Sequence, residues 1–587
     1  MAAAREQRDA GAHARRGTAL DVAVACTSVG NRAYSIAIVV FLYRATHSAS
    51  VVGLAAGSRY LAGLLAAALV FLVVERIRPV QLLVVANLAA GLLLVACAAA
   101  VAHRAGSATV IALSAAARAV VAAHPPATAS LLPDVLGGRD LARAARRQNA
   151  IDKLALLVGP AIGGVLLLVV SPAVELVLVS GLFAAATVAV GVVAAGGTPR
   201  PHRRGGRVVD IREARTARPA DPDRAGDPAA TRREPSADPA TPAAAGSHLA
   251  WFATFSVMAG FLYGVDTVVF VVLAGSRYHL GQSGYGLLFA GLGAGGIVGA
   301  TISNRLAVTP ATGPLLVGAL WLYSIPTVVL PFIGTAAGAL GVEAVRGAGA
   351  LLVDVLVVTG IQRVVLPRRV PIVIAWLTAG VSAAVAAGAL LTPALLSGFG
   401  LRTTLIVTGL VFPAVSLVLL PRLRAVDKVI ASHAAGLAPR TAVLASLGLL
   451  AGTSRPTLEM LAARLSELTV DEGTDVIREG DDSDEFYVIV SGSAAAIIDR
   501  DGAGSETTGR LGPGDWFGEI AALTGAARTA TVRATSACTL LCISGEDFRE
   551  ALEQLPPSAA LLDSAVARFS LTHPDRQWHD LRARAVT

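Results

Sequence analysis

Three residues near the end of the chain have types and spacing that suit one piece of chemistry: Gly518, Glu519 and Arg528, within GDWFGEIAALTGAARTATVRA (514–534). FGEIAAL reads as a single helical turn between strands. Backbone N–H groups at such a turn attract an anion, and a glycine lets the anion come close. Arg528, ten residues after Gly518, supplies a permanent positive charge with a fork suited to phosphate oxygens. Glu519 offers a carboxylate that can accept a hydrogen bond from a sugar hydroxyl. A singly charged phosphate fused to a ribose, a cyclic mononucleotide, satisfies all three.

The elements that must hold these residues are short. TDVIREGDDSDEFYVIVSGSAAAIIDRDGAG, GRLGPGDWFGE and RTATVRATSACTLLCIS are β-like runs broken by Gly and Asp, the texture of a compact antiparallel roll. Residues 440–470 before them have helical periodicity with polar faces, and EDFREALEQL (546–555) predicts a closing helix. About residues 440–560 resemble the cyclic nucleotide-binding domain family, on GDWFGEIAALTGAARTATVRA and on IREGDDSDEFYVIVSG with its turn glycines Gly480 and Gly492. The resemblance implies backbone contacts from Gly518, Ile520 and Ala521, the ribose 2′-hydroxyl on Glu519, and the cyclic phosphate on Arg528. Thr529 stands where a hydroxyl contacts guanine in some relatives, although others with Thr or Ser there bind cAMP; Ala530 completes the site. Ala527 departs from the family, where Pro often precedes the arginine. The ligand expected is cAMP or cGMP, with no cofactor and no metal. A degenerate module used only for oligomerisation usually loses the arginine or the glutamate, and both are present. No helix-turn-helix follows, which excludes a transcription factor of the catabolite-activator type.

The rest of the chain has a different composition. Of 587 residues 54% are hydrophobic and only 15% charged, and runs of about 20 nearly uncharged residues, each enough to cross roughly 30 Å of hydrocarbon as a helix, recur through the first 420. They lack the alternation of barrel strands. Twelve spans are expected, at 21–43, 49–74, 80–101, 107–131, 150–170, 173–195, 250–274, 284–306, 313–333, 337–360, 371–395 and 402–420. Arginine-rich loops fall on one side, carrying for example Arg15, Arg16, Arg76, Arg78, Arg143, Arg146, Arg368, Arg369, Arg422 and Arg424, so both termini are expected in the cytoplasm of a plasma-membrane protein. The formal charge of +8 is thus a topology signal and not a nucleic-acid footprint. The basic start is not followed by a cleavable signal sequence. The four cysteines have no metal-ligand spacing.

Residues 198–246, rich in Pro, Arg, Asp and Ala, cannot bury a core and are expected to be a disordered cytoplasmic linker that divides the spans six and six. The expected segments are a tail (1–17), a first six-helix bundle (18–196), the linker (197–247), a second bundle (248–424), a short linker (425–439), the nucleotide module (440–570) and a tail (571–587). LVVERIRP (72–79), with Glu75 and Arg76, LVGPAIGG (157–164) and LLPDVLGGRDLARAARRQNAID (131–152) resemble motifs of the major facilitator superfamily, the last two those of its drug-exporter-like branch. Glu75 stands where that family usually has Asp. The fold expected is therefore an α-helical membrane protein of two six-helix bundles followed by a soluble β-roll with flanking helices. Gly159, Gly163 and Gly164 would let helices approach and Pro160 would bend one; ordinary packing and gating both fit them. The resemblance implies export by antiport.

Ionisable groups inside the spans need a partner or a cavity. Asp266 and Asp354 are candidates for a coupling proton, and Arg118 and Arg346 are their expected counter-charges. Glu343, one turn before Arg346, offers a local ion pair. Arg32 and Arg59 could line the same cavity. Each reads equally as structural pairing or as proton and substrate work. The function expected is a proton-coupled secondary transporter of an unidentified small molecule, regulated by cyclic nucleotide and able to form a homo-oligomer through its C-terminal module. Two alternatives share the architecture: a membrane receptor or scaffold that senses the nucleotide without transport, and a lipid translocator. No nucleophile elbow, phosphate-transfer loop or zinc triad supports an enzyme.

Overall fold

The computed structural model describes residues 2–73, 77–136, 141–195, 230–233, 242–278, 280–281, 284–306, 312–364, 370–447, 455–500, 504–545 and 547–548. It divides into two compact units, residues 1–202 with 243–430, and residues 203–242 with 431–587.

The first unit is helical. Its elements are α1 (Ala2–Thr46), α2 (Ala49–Val73), α3 (Pro79–Ala102), α4 (Ser107–Val121), α5 (His124–Leu136), α6 (Leu141–Val169), α7 (Pro172–Ala195), α8 (Pro242–Val272), α9 (Gly284–Leu306), α10 (Thr312–Ser324), α11 (Ala336–Val364) and α12 (Val370–Ser446). Among the described residues ten helical stretches are long and apolar enough to cross a membrane. Two departures from the expected spans have local causes. The stretch Ile372–Ala425 runs 54 residues, more than twice what a bilayer core takes, and contains Gly400 at φ 75, ψ 168, outside the helical region. It therefore covers both 371–395 and 402–420. The expected span 150–170 lies in α6, where Asp152 and Lys153 precede an apolar run of residues 154–169.

Proline also shapes the unit. The expected span 107–131 is two helices, since α5 opens on His124 followed by Pro125 and Pro126; Pro lacks the N–H that would continue α4. His124 Nε2 lies 2.9 Å from Asn87 Oδ1, which also accepts from Thr27 Oγ1 at 3.1 Å. After α10, Pro326 and Pro331 open two 3₁₀ turns, Ile325–Val328 and Leu330–Phe332.

Glycines set the closest helix contacts. A Cβ on Gly163 would stand 2.9 Å from Ala33 O on α1, and one on Gly164 2.7 Å from Gly286 Cα on α9. Only residues without a side chain permit backbones this close. Gly159 meets α1 in the same way, 2.6 Å from Arg32 Cβ. Pro160 lies inside α6. Glu75 and Arg76 lie outside the described residues.

The second unit is a two-sheet antiparallel roll. Its elements are β1 (Ala230–Arg233), α13 (Arg455–Arg464), β2 (Ser466–Val470), β3 (Asp475–Ile477), β4 (Phe486–Ser491), β5 (Ala494–Arg500), β6 (Gly504–Leu511), β7 (Trp516–Phe517), α14 (Glu519–Thr524), β8 (Thr531–Ala534) and β9 (Cys538–Ile543). The sheets run β1-β2-β9-β4-β7 and β3-β8-β5-β6. The period-2 geometry of a strand explains how β4 serves two cores. Phe486 and Val488 join a cluster with Leu458, Leu461 and Leu541, while Tyr487 and Ile489 join one with Phe517, Val532 and Leu540.

Three expectations about linkers change. Residues 230–233, inside the segment expected to be structureless, form a strand antiparallel to β2, with Ala230 opposite Val470 and Arg233 opposite Glu467. An edge strand offers backbone groups to any extended chain, whatever its side chains. Residues 425–439 are helical within α12, and the N-terminal tail from Ala2 is helical within α1. The expected closing helix 546–555 lies almost wholly outside the described residues.

Candidate nucleotide site and buried charges

The cavity of the second unit is about 260 Å³. Gly518, Glu519, Ile520, Ala521, Arg528, Thr529 and Ala530 all line it, the full set singled out from sequence. Its other walls are Ile477 on β3, Ala496 on β5, Thr508 to Leu511 on β6, Phe517 and Val532. The sequence reading missed these because β3, β6 and β8 are distant in the chain and meet only through sheet pairing.

Gly518 has φ 84, and a Cβ there would lie 2.6 Å from Glu485 O and 2.7 Å from Arg528 Nη1. No other residue type tolerates both the left-handed backbone and that approach. The glycine starts α14, whose first-turn amides have no acceptor within the helix, and Glu519 is buried at this start.

Arg528 is held from an acidic loop. Its side chain is 1% exposed. Nε donates to Ser483 Oγ at 2.9 Å, Nη1 to Gly518 O at 3.3 Å and Nη2 to Glu485 Oε2 at 3.5 Å. The guanidinium carbon stands 5.8 Å from the centre of the Tyr487 ring, which stacks on Phe517 at 5.0 Å. Burial lowers the proton affinity of this guanidinium, and Tyr487, Glu485, Asp484 and Asp481 oppose the change; an arginine stays cationic throughout. Backbone bonds pin its position, with Arg528 N donating to Asp481 O and Gly480 N to Arg528 O, each at 2.9 Å. The result is a cation fixed in a half-apolar pocket beside the start of α14 and a carboxylate. This array suits a compact phosphate ester with a sugar hydroxyl. Ser483 and Glu485 were not singled out from sequence, although the run EGDDSDE signals a loop dense in acceptors.

In the helical unit the buried charges form two groups. Arg346 on α11 donates to Asp266 on α8 (2.7 and 2.9 Å), to Glu343 on α11 (2.9 and 2.8 Å) and to Tyr323 O (3.1 Å). Tyr323 Oη on α10 donates to Asp266 Oδ2 at 3.0 Å. One guanidinium thus serves two carboxylates, and all three side chains are within 2% of full burial. Asp354, farther along α11, bonds to neither Asp266 nor Arg346. Arg118 pairs with neither aspartate; it stands with Arg32 and Arg59, which act on it electrostatically. Glu175 at the start of α7 is fully buried, with both carboxylate oxygens lacking hydrogen-bond partners among the described residues. Its place in SPAVELV, an acid inside an apolar run, was the signal that could have found it.

Comparison with known proteins agrees with both halves of this picture. Residues 467–555 match the family model described as cyclic nucleotide-binding domain. The chain is 35% identical over 112 residues to the mouse protein named cyclic nucleotide-gated channel alpha-4, covering 18% of this chain and 19% of the relative. It is 39% identical over 88 residues to the cAMP-dependent protein kinase regulatory subunit of Yarrowia lipolytica, covering 15% and 22%. The chain thus spans about a fifth of the curated relatives it matches. Among solved structures it is similar to a cyclic nucleotide-binding-like protein from Brucella abortus, at 29% identity and TM-score 0.18 over 20% of this chain and 98% of that one. It is also similar to the regulatory domain of Toxoplasma gondii PKA with cAMP, at 21% identity and TM-score 0.21 over 26% and 55%. The second family model, Major Facilitator Superfamily, matches residues 20–369, more than half of the chain. The chain belongs to the Major Facilitator Superfamily, a family of membrane transporters and not of enzymes, and carries a C-terminal cyclic nucleotide-binding domain.

Proposed function

We propose that the chain is a proton-coupled secondary transporter of a small molecule, in the plasma membrane with both termini cytoplasmic, whose activity responds to cAMP or cGMP in the C-terminal domain. The observation that carries the regulatory half is the buried Arg528, held beside Gly518 and Glu519 in a cavity lined by all seven expected residues. A domain that served assembly alone would have no need of a buried cation aimed at a cavity. Arg528 holds the cyclic phosphate, the α14 amides back it, Glu519 takes the ribose 2′-hydroxyl, and Ile477, Ala496 and Val532 offer apolar contact to the base. Thr529 stands within reach of the purine. Export is the direction that the resemblance to the drug-exporter-like branch implies.

Twelve spans in two six-helix bundles fit the helical unit when the 54-residue stretch is divided at Gly400 and α6 crosses with its polar start in the interface. Gly164 against Gly286 brings α6 of the first bundle onto α9 of the second, the place where a rocking pair must slide. The proton role is supported by Asp266 and Glu343 sharing Arg346. With both acids ionised the trio carries a net negative charge in a dry interior, and one proton neutralises it. Regulation requires that the two transport states bind the nucleotide unequally.

The test uses purified protein in liposomes containing a pH-sensitive dye and screens solutes for proton movement. The expected result is a solute-dependent proton flux whose rate changes with cAMP or cGMP, loses the nucleotide response in Arg528→Ala, and falls at least about tenfold in Asp266→Asn. Flux indifferent to nucleotide in the wild type overturns the regulatory reading. Absence of any solute-driven flux favours the receptor reading.

A further inference from the structure

Three arginines inside the spans of the first bundle are not used by the proton site. We propose that Arg32, Arg59 and Arg118 form the substrate seat of the helical unit, and that the substrate is a small organic anion with two negative charges on phosphate or carboxylate oxygens. This deepens the transporter reading and rests on it.

The three lie on α1, α2 and α4, and among the described residues none forms an ion pair. The contrast with neighbouring cations is direct: Arg346 has two carboxylates and Arg147 has Asp21. Arg59 is 8% exposed. Among the described residues its Nε and the buried Tyr34 hydroxyl make no hydrogen bond of ordinary geometry; Tyr34 lies beside the guanidinium and acts on it, its ring centre 4.6 Å from the guanidinium carbon. A ring face returns only a small part of what it costs to take a cation out of water. Arg118 feels Arg32 and Arg59 as like charges. Nothing in the packing forces this concentration, and the packing makes room for it instead. A Cβ on Gly63 would stand 3.3 Å from the Arg118 guanidinium carbon, and one on Gly159 2.6 Å from Arg32 Cβ.

Asp266 does not neutralise the group: it acts on Tyr263 and Tyr285, which also feel Arg32 and Arg59 respectively, but both its oxygens are already bonded to Arg346. Three guanidiniums with no ion-pair partner among the described residues, and with Tyr60, Tyr263 and Tyr285 close enough to act on them, are donors in search of an acceptor. Guanidinium forks match the oxygens of phosphate and carboxylate, and three cations call for more than a single negative charge.

The experiment measures thermal unfolding of the full-length protein in detergent at fixed ionic strength. The probes are glucose 6-phosphate and malate, with glucose and tetraphenylphosphonium as neutral and cationic controls. We expect at least one of the two anions, the arm identifying phosphate or carboxylate, to raise the midpoint in a saturable way, and neither control to do so. In Arg59→Gln and Arg118→Gln the Kd rises about tenfold or more, the value of one charge-assisted hydrogen bond, and Arg59→Lys restores part of it. Arg118 is half-buried, so its variant gives a reading even if Arg59→Gln does not fold. The inference is overturned if neither anion shifts the wild type, if the variants respond as the wild type does, or if only tetraphenylphosphonium stabilises. Anion binding without flux in liposomes would remove the transporter reading and leave the anion seat. Flux of a cation without anion binding would do the reverse.

Discussion

Arg346 and Asp266 lie 80 residues apart and are joined by two hydrogen bonds of 2.7 and 2.9 Å, with Glu343 on the other side of the same guanidinium. A buried cation that holds two acids is asymmetric in what its removal costs. Arg346→Met leaves two carboxylates without a counter-charge and is expected to destabilise the helical unit by about 3–5 kcal/mol. Glu343→Gln leaves one acid on one base and costs about 1 kcal/mol. Denaturation of the purified variants in one detergent checks the order, and equal losses would contradict the shared-cation arrangement.

How far these arrangements were legible depends on distance along the chain. Gly518, Glu519 and Arg528 lie within one short segment, so type and spacing alone placed them around a single cavity. The groups that brace Arg528, Ser483 and Glu485, come from 45 and 43 residues away and required the β4–β7 and β3–β8 pairings to be known. Asp266 and Arg346 each stood out as a charge in an apolar run, and Glu343 as a neighbour one turn away. Helix register, which no local pattern states, decided that Arg118 stands with Arg32 and Arg59 and not with an aspartate. The break at Gly400 follows from glycine's freedom at positive φ. The strand at 230–233 was hidden because its pairing with β2 uses backbone groups, which composition does not report.

Gly518 gives a sharper local prediction. An alanine there must keep φ 84 and set its Cβ 2.6 Å from Glu485 O. The left-handed backbone alone costs about 1–2 kcal/mol. Gly518→Ala is expected to lose nucleotide binding and to loosen the β4–α14 contact, seen as faster hydrogen exchange at residues 519–524 with the helical unit unchanged.

The Asp475–Arg533 pair ties β3 to β8 beside the cavity, with Arg533 Nε 2.6 Å and Nη2 3.2 Å from the carboxylate. The hydrogen bond from Arg533 is the main reason that Asp475 ionises below the usual carboxylate range. A carboxyl whose folded pKa is depressed adds stability that is fully present above its unfolded value of about 3.9 and is lost as pH falls through the folded value. Half the pair is exposed, so Asp475→Asn should cost no more than about 1 kcal/mol at pH 7. Its hydrogen exchange in β3 and β8 should exceed that of the wild type at pH 7 and converge on it once the pH has fallen below the depressed folded value. A difference that persists in acid would place the effect elsewhere.

The most direct test is titration calorimetry of cAMP and of cGMP into the full-length protein in detergent, wild type against Arg528→Ala. One binding event per chain in the wild type, weakened at least about a hundredfold when the two or more charge-assisted bonds of Arg528 are lost, is the expected result. No heat with either nucleotide in the wild type, or the same isotherm in both proteins, would contradict it.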